Sequence, residues 1–387
     1  MSESTSVLKL LDLIQNSAEI LLQEAIGVAT IPAPPFGETT RSAHIARRFS
    51  EVGLDDVAAD DLGNVVGRLK GRGPRIMVVS HMDTVFPTGT VLQPRIENGS
   101  IFCPGIRDNS TAVANLISLA ALAKQAGWVP PCDLVLASSV GEEGLGDLRG
   151  MRRLMADWGG RLDAVVAYDG DLGNVVHGGV GSLRYKVTYH AAGGHSFGAF
   201  GNPSAIHGLA TACARFCRIE VPKDPKTTFN IGTIRGGTSV NAIAEEAFAL
   251  IDMRSVSQTE LDRLNAQALR IFEETAAEFD CRLELEKVGD RPAGSMPADH
   301  PLAATAAAVL RDMGREPKFS SSSTDANIPL SLDIPAICIG SSLGRGVHTL
   351  GESMEIASVV PGLQQLVRLL SRIDTAIAAT AEVVSAQ

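Results

Sequence analysis

A histidine and an aspartate that follow one short apolar run have types and a spacing suited to metal binding. Ile76 to Val79 is typical of a strand buried on both faces, and the polarity changes abruptly after it at Ser80, His81 and Asp83. Side chains alternate along a strand, so His81 and Asp83 point the same way while the chain is extended. A carboxylate beside an imidazole fixes its tautomer and leaves the other ring nitrogen free for a metal ion. A histidine that is merely hydrogen-bonded at a strand end is the alternative for this pair alone.

Four further polar clusters follow predicted strands or precede predicted helices. They are Asp108 with Asn109, Glu142 with Glu143, Asp169 with Asp171, and His348 before Glu352. Each cluster alone is ordinary, since a helix N-cap, an acidic turn, a loop carboxylate or a surface histidine would explain it. Together, two histidines and three carboxylates at one edge of a sheet would offer nitrogen and oxygen ligands suited to zinc, manganese or cobalt. Five such ligands hold two metal ions if one carboxylate bridges them.

The two adjacent glutamates could have different roles in such a site. One of Glu142 and Glu143 could bind a metal ion while the other acts as general base toward water held by the metal. A metal pair lowers the pKa of bound water from about 15.7 toward about 7, which provides a nucleophile at neutral pH. The pattern therefore predicts metal-assisted hydrolysis.

The elements that must position these residues alternate between strand and helix. Strands are predicted at Val65 to Leu69, Arg75 to Ser80, Leu134 to Ser138, Ala164 to Tyr168 and Ile334 to Ile339. Helices are predicted at Leu8 to Ile26, Thr40 to Val52, Asp108 or Asn109 to Gln125, Asp147 to Trp158 and Val359 to Ile377. This alternation predicts an α/β fold with a mostly parallel sheet and helices on both of its faces.

The pattern changes from residue 182 to about residue 294. Leu183 to His190 and Phe248 to Met253 alternate between polar and apolar residues, as strands with one solvated face do. Helices are predicted at Pro203 to Cys217 and Gln258 to Glu278. We therefore expect an inserted α+β domain at residues 182–294, while residues 1–181 and 295–387 form the catalytic, metal-binding domain.

The composition excludes several classes of protein. The chain has 387 residues, of which 45% are hydrophobic, enough for a packed core. Its net charge of -10 argues against a nucleic-acid groove or a basic membrane-docking face. The 6 cysteines form no C-x-x-C pair, so neither a zinc knuckle nor a disulfide framework is predicted. Without a basic N-terminal region or an apolar run near about 18 residues, we expect a cytoplasmic protein that binds neither membranes nor nucleic acid.

Motifs along nearly the whole chain resemble those of the M20 family of metallopeptidases and amidohydrolases. They are Ser80 to Val85, Gly105 to Asn109, Gly141 to Gly144, Gly193 to Ser196, Gly237 to Ile243, Asp252 to Arg254, Ser323 to Asp325 and His348 to Glu352. One departure is that Ser110 and Thr111 stand where the family often has Lys-Gly or Lys-Ala.

The resemblance implies two divalent ions, zinc or alternatively manganese or cobalt, and a residue for each role. The implied ligands are His81 and Asp169 for one ion, Glu143 and His348 for the other, and Asp108 as the bridge. It also implies that Asp83 supports His81 and that Glu142 is the general base that lets a metal-activated water cleave an amide bond.

The inserted region is similar to the family's lid, which commonly also forms a dimer. The resemblance implies that His195 and Asn241 stabilise the transition state and that Arg254 anchors a substrate carboxylate, with Thr324 as a further substrate contact. We accordingly expect a homodimer in which His195 serves the partner's site. The expected substrate is a small molecule or short peptide that carries a carboxylate.

Two other functions are compatible with parts of the sequence. Gly194 to Gly198 fits the Gly-x-Ser-x-Gly elbow of serine α/β-hydrolases, and Ser196, Asp325 and His348 follow the chain order of such triads. An elbow should, however, follow a buried central strand, whereas Tyr185 to His190 alternates as a half-exposed strand does. The other alternative is a non-catalytic binding protein on the same fold.

Overall fold

The computed structural model describes residues 4–385, with side chains up to residue 380. The chain divides into two compact units, one made of Met1–Gly179 and Ser295–Gln387 and the other of Val180–Gly294. The helices are α1 Thr5–Gln15, α2 Ala18–Ala29, α3 Thr39–Glu51, α4 Thr111–Ala126, α5 Arg149–Trp158, α6 Ala205–Phe216, α7 Gln258–Glu278, α8 Pro301–Asp312, α9 Asn327–Ser331, α10 Val359–Leu370 and α11 Ile373–Ser385. No helix among residues 4–385 has both the length and the apolar content that a membrane span requires.

The strands are more numerous and mostly short. They are β1 Asp55–Ala59, β2 Val65–Leu69, β3 Arg75–His81, β4 Arg95–Glu97, β5 Ser100–Phe102, β6 Asp133–Ser139, β7 Ala164–Tyr168, β8 Asn174–Gly179, β9 Gly181–His190, β10 Gly194–His195, β11 Thr227–Gly236, β12 Ala242–Ile243, β13 Glu246–Ser255, β14 Arg282–Arg291, β15 Gly294–Ser295, β16 Lys318–Ser322, β17 Ala336–Ile339, β18 Gly344–Arg345 and β19 Ser353–Glu355.

The central sheet of the first unit has the order β1-β2-β6-β3-β7-β17-β8, and β16 also pairs with β8. β3 runs parallel to both of its neighbours, β6 and β7, and β7 runs parallel to β17. β3, β6 and β7 are buried along nearly their whole length, as strands covered on both faces are. The predicted α/β fold with a mostly parallel central sheet is confirmed.

Parallel pairing brings the carboxyl ends of these strands to one edge of the sheet. In the β3–β6 register His81 lies opposite Ser139, and in the β7–β17 register Tyr168 lies opposite Ile339. The segments that follow β3, β6 and β7 therefore begin at the same edge, where ligands bind in open α/β sheets. This edge carries the site described below.

Two helices predicted as continuous are interrupted in the structure. The expected helix Leu8 to Ile26 is divided into α1 and α2, because Asn16 Nδ2 and Ser17 Oγ donate to the carbonyl oxygens of Asp12 and Leu13. The expected closing helix is likewise divided into α10 and α11, where Ser371 Oγ donates to Val367 O at 2.8 Å. Side chains of Asn and Ser compete in this way for the carbonyl groups of a helix end. Apolar periodicity does not reveal such a break, because it continues across the turn.

The second unit, Val180–Gly294, contains a four-stranded sheet of order β11-β13-β9-β14 in which all pairs are antiparallel. Along β13 every second residue from Ala247 to Ser255 is buried, and α6 and α7 pack against the sheet. Helix α7 begins where the sequence predicted, because the Ser257 side chain accepts a hydrogen bond from Glu260 N and caps it. Beside this sheet the short strands β10 and β12 pair antiparallel.

Candidate metal centre

One group of converging donors is built on the carboxyl ends of β3 and β7. His81 Nε2 lies 3.1 Å from Asp108 Oδ1 and 3.8 Å from Asp169 Oδ2. His81 is buried as the last residue of β3, and Asp169 follows β7 directly. One donor atom from each of the three residues lies within 4.8 Å of the others, which is close enough to share one ion.

A second group shares Asp108 with the first. His348 Nε2 lies 3.1 Å from Asp108 Oδ2 and 2.9 Å from Glu143 Oε1. The two carboxylate oxygens of Asp108 thus approach different histidines, Oδ1 toward His81 and Oδ2 toward His348. Glu142 belongs to the same cluster, since it has a donor atom within 4.8 Å of donors from His81 and Glu143.

The pKa values of the two groups reflect repulsion between carboxylates and attraction between carboxylates and imidazoles. Burial and the charge of Asp108 raise the pKa of Asp169 to about 7. Burial opposes the charging of His81, but its hydrogen bond to Asp108 and the nearby carboxylates of Asp83 and Asp169 hold its pKa well above the ordinary value. Hydrogen bonds to Asp108 and Glu143 raise the pKa of His348 to about 10.

The chemistry of this donor set fits divalent cations. Carboxylates that repel one another and raise the pKa of two histidines form a cluster in which a cation can replace protons. Imidazole nitrogens and carboxylate oxygens, without a thiolate, are borderline and hard donors suited to zinc, manganese or cobalt. Two groups joined by one aspartate fit two ions with a bridging carboxylate.

Asp83 lies behind the donors and contacts the segment after β6. Its Oδ1 accepts from Glu142 N at 3.0 Å and its Oδ2 accepts from Glu143 N at 2.8 Å. His81 Nδ1 is 3.1 Å from the backbone oxygen of Asp83 but 3.7 Å from its Oδ1. The imidazole is therefore oriented mainly by the backbone of Asp83, whereas the carboxylate orients the two glutamates.

Buried residues that the sequence did not single out hold the ligand-bearing loops. Asn64 Oδ1 accepts from Val140 N at 3.0 Å, at the start of the loop that carries the glutamates. Arg41 Nη1 donates to Met82 O at 2.7 Å, between His81 and Asp83 in the chain. No local signal marks either residue, since the partners lie 41 residues apart for Arg41 and 76 residues apart for Asn64.

Thr324 and Asp325 lie in the first unit near the end of β6. Ser139 Oγ donates to Asp325 Oδ2 at 2.6 Å, and Ser139 lies opposite His81 in the sheet. Thr324 Oγ1 accepts from Ala326 N at 3.2 Å, which fixes the turn at the start of α9. Thr324 is thus held close to the sheet edge that carries the ligands.

The serine-hydrolase alternative lacks the strand it requires. Ser196 follows β10, a two-residue strand paired antiparallel with β12, instead of a buried strand of a parallel sheet. His348 directs Nε2 to Asp108 and Glu143, where a triad would have it face a serine. Nothing in this geometry favours a triad.

In the second unit, His195 and Asn241 line one cavity of about 850 Å³. The Nδ1 atom of His195 accepts from Phe197 N at 3.2 Å and from Gly198 N at 3.1 Å. Since Nδ1 accepts two hydrogen bonds, a neutral His195 carries its proton on Nε2, which makes Nε2 a donor. Ser239 Oγ donates to Asn241 Oδ1, so Asn241 likewise presents its amide nitrogen.

Arg254 is not among the residues that line this cavity. Its Nε donates to Asp252 Oδ2 at 2.7 Å, while Arg184 Nε donates to Asp252 Oδ1 at 2.9 Å. In the part of the chain that is described, the hydrogen bonds of Arg254 run through Nε, which leaves the two terminal nitrogens for a ligand.

Comparison with known proteins found a family model and relatives that match most of this chain. The model of the family described as Peptidase family M20/M25/M40 matches residues 77–372. An uncharacterized protein of Bacillus subtilis, YqjE, is 25% identical over 369 residues, which cover 90% of this chain and 97% of that protein.

Solved structures with the same fold include two peptidases. A tripeptidase from Staphylococcus aureus has a TM-score of 0.80 at 23% identity, with 92% of this chain and 99% of that chain covered. YXEP of Bacillus subtilis, described as a dinuclear metal binding peptidase from the M20 family, has a TM-score of 0.69 at 15% identity, with 93% and 99% covered. Because the family model covers well over half of the sequence and the motifs that carry the resemblance fall within it, this chain belongs to peptidase family M20/M25/M40.

Proposed function

We propose that this protein is a metal-dependent hydrolase that cleaves an amide bond in a peptide or an N-acyl amino acid. The observation that carries the proposal is the position of Asp108, whose two oxygens each lie 3.1 Å from a different histidine. Such an arrangement serves a pair of divalent ions, zinc or alternatively manganese or cobalt. Family membership supports the same reaction class.

The protein side of the mechanism follows from the donors. His81 and Asp169 would hold one ion, Glu143 and His348 the other, and Asp108 both. When bound, the ions supply Lewis-acid activation of a water molecule and of the substrate carbonyl. Glu142 accepts a proton from the attacking water and passes it to the leaving amine nitrogen, which departs as a neutral amine. Asp83 keeps the backbone of both glutamates in place.

The second unit would complete the site. His195 Nε2 and the Asn241 amide donate to the oxyanion that forms when water adds to the carbonyl carbon. Their acceptor atoms are already occupied within the unit, which orients the donors outward. We further propose that Val180–Gly294 is a lid and dimerisation unit and that His195 serves the partner subunit.

A homodimer would explain exposed apolar residues near His195. Phe197 and Phe200 are 89% and 90% exposed, and Val240 is fully exposed. Phe200 and Val240 line a cavity of about 500 Å³, and β11 is an unpaired edge of its sheet. Exposed apolar side chains and an open strand edge are both typical of protein interfaces. A second copy of this chain is the proposed occupant.

The substrate would carry a carboxylate near the scissile amide. Arg254 presents a planar guanidinium with two free terminal nitrogens, which match the two oxygens of a carboxylate. Thr324 is proposed as a further contact. A cytoplasmic location stays a prediction.

The test is metal removal and replacement with N-acyl amino acids and dipeptides as substrates. Exhaustive chelation should abolish hydrolysis, and zinc, manganese or cobalt should restore it, because the proposed reaction requires the ions for water activation. Activity that survives chelation and is lost on treatment with a serine-directed phosphonate would overturn the proposal. A protein that binds metal and ligand without turnover on any substrate would indicate the binding-protein alternative.

A further inference from the structure

Glu352 is a fully buried carboxylate that binds the loop carrying Asp108. Its Oε1 accepts from Arg107 N and from Asp108 N, both at 2.9 Å, and its Oε2 accepts from Gly105 N at 3.0 Å. Its exposed fraction is 0%. Three backbone N–H groups of one four-residue segment thus converge on one side chain.

Glu352 also ends the loop that carries His348. Glu352 N donates to Thr349 O at 3.1 Å, which closes that loop, and Cys103 N donates to Glu352 O at 3.1 Å. The following residue, Ser353, lies opposite Phe102 in the β5–β19 pair. The backbone and the side chain of Glu352 therefore both join the His348 loop to the Asp108 loop.

A buried carboxylate is a costly way to stabilise a fold, since its desolvation must be offset by hydrogen bonds. Here those hydrogen bonds go to the backbone of a segment that is not regular helix, because Asp108 has φ -118 and ψ 93. The direction in which the Asp108 side chain leaves the backbone depends on how this N–H is held. With its N–H bound to Glu352, Asp108 directs one oxygen to His81 and the other to His348.

We propose that Glu352 is a positioning residue that sets Asp108 between the two metal positions, so that both ions depend on one buried hydrogen-bonded carboxylate. The inference rests on the proposed function, since it concerns the same two ions. Glu352 binds neither ion itself and acts only through the backbone of residues 105–108.

The decisive variant is Glu352→Gln. A glutamine side chain of nearly the same shape can still accept from Arg107 N and Asp108 N through its oxygen, but its NH₂ group faces Gly105 N, donor against donor. Glu355→Gln is the matched control. Glu355 is exposed at the end of the adjacent strand β19, and this substitution removes the same charge as Glu352→Gln. Glu352→Asp retains the charge but shortens the reach to the loop.

The experiment titrates the metal-free full-length proteins with Zn²⁺ and Co²⁺ by calorimetry and records the visible absorption spectrum of the cobalt forms. Both Glu352 variants should bind the ions about 10-fold to 100-fold more weakly than wild type, with an altered cobalt spectrum, as expected when a group that orients a ligand is lost. Glu355→Gln should match wild type in both measurements. The thermal unfolding of each metal-free protein shows whether it is folded.

The outcomes separate the positioning role from the proposed function. Wild-type affinity and an unchanged cobalt spectrum in folded Glu352→Gln would overturn the positioning role while leaving the two-ion site intact. Failure of the wild-type protein to bind either ion would instead overturn the proposed function. If Glu352→Gln does not fold, an unchanged cobalt spectrum and affinity in Glu352→Asp overturn the positioning role equally, because the shorter side chain cannot hold the loop in the same place.

Discussion

The carboxylate of Asp83 accepts a hydrogen bond from Glu143 N at 2.8 Å, and through its other oxygen it accepts from Glu142 N. One buried side chain at the end of β3 therefore orients both the proposed ligand and the proposed base after β6. Asp83→Asn retains the shape but replaces one acceptor oxygen with an NH₂ donor. We expect kcat/KM to fall about 10-fold to 100-fold, with weaker metal binding. Asp12→Asn, on the exposed face of α1, should have no effect in the same assays.

Glu142 and Glu143 should differ in what they lose when converted to glutamine. Glu142→Gln removes the proton acceptor but no ligand, so turnover should fall by about 10²-fold or more while metal content is retained. Glu143→Gln should lose metal, because His348 Nε2 and Glu143 Oε1 lie 2.9 Å apart in one donor group. Metal analysis beside single-turnover kinetics distinguishes the two effects. Metal lost from Glu142→Gln and retained in Glu143→Gln would mean that the roles are reversed.

Arg254 should be irreplaceable by lysine if it binds a substrate carboxylate. Lysine has the charge but not the planar pair of donors, so Arg254→Lys should raise KM or lower kcat/KM at least about 10-fold for a substrate with the carboxylate. The effect should be absent for a substrate in which the carboxylate is replaced by an amide, because Arg254 then has no carboxylate to bind. Arg282→Lys, at an exposed position of β14, is the control. Unchanged KM and kcat/KM in Arg254→Lys would contradict the role of Arg254 as the anchor of a substrate carboxylate.

His195 should act in the partner's site. A His195→Ala chain and a Glu142→Gln chain are each expected to be nearly inactive, since loss of one oxyanion donor costs about 10²-fold to 10³-fold in kcat. Mixed and allowed to exchange subunits, the two variants should regain activity, because one site of the mixed dimer then has both residues intact. No recovery despite exchange demonstrated by mass spectrometry would place His195 in its own subunit's site or outside catalysis.

Asp133 should contribute stability over a defined pH range. Burial alone would raise the pKa of Asp133, but hydrogen bonds from Arg75 and Arg68 outweigh it, so the pKa is lowered. A carboxylate whose pKa is lowered in the folded state contributes its full stabilisation of the fold when the pH is above its unfolded-state pKa of about 3.9. This contribution is lost as the pH falls through the lower folded-state pKa. Asp133→Asn should therefore lower the free energy of unfolding by about 1–3 kcal/mol from pH 8 to pH 5, and by less below about pH 4.

Urea unfolding at several pH values measures this difference. Asp56→Asn is the control, because Asp56 also pairs with Arg68 but its side chain is 57% exposed. Its effect should stay below about 1 kcal/mol. A cost for Asp133→Asn that grows toward acid pH would contradict the assignment of the lowered pKa.

Several elements of both units were predictable because buried strands and amphipathic helices leave a local signal. Val65 to Leu69 and Ala164 to Tyr168 coincide with β2 and β7, and the predicted helix Gln258 to Glu278 coincides with α7. Strand and helix periodicity depends on residues a few positions apart, so it can be read without knowing the fold.

The helix breaks after Gln15 and Leu370 were not predictable in the same way. Each depends on a polar side chain that donates to a carbonyl within the helix, and the apolar pattern is the same with or without that bond. The single helix predicted over Leu8 to Ile26 was therefore wrong at a turn of two residues.

The sequence by itself determined the candidate donors and their order along the chain. It also placed His81, Glu143 and Asp169 near one sheet edge, because they follow the buried strands β3, β6 and β7 and parallel strands end together. Only the tertiary structure decided that the two oxygens of Asp108 face different histidines, one of them 240 residues away. The same holds for the hydrogen bond from Asp108 N to the Glu352 carboxylate, across 244 residues. Contacts of this kind depend on how distant segments pack and on which buried N–H groups need an acceptor. The residues adjacent in sequence determine neither.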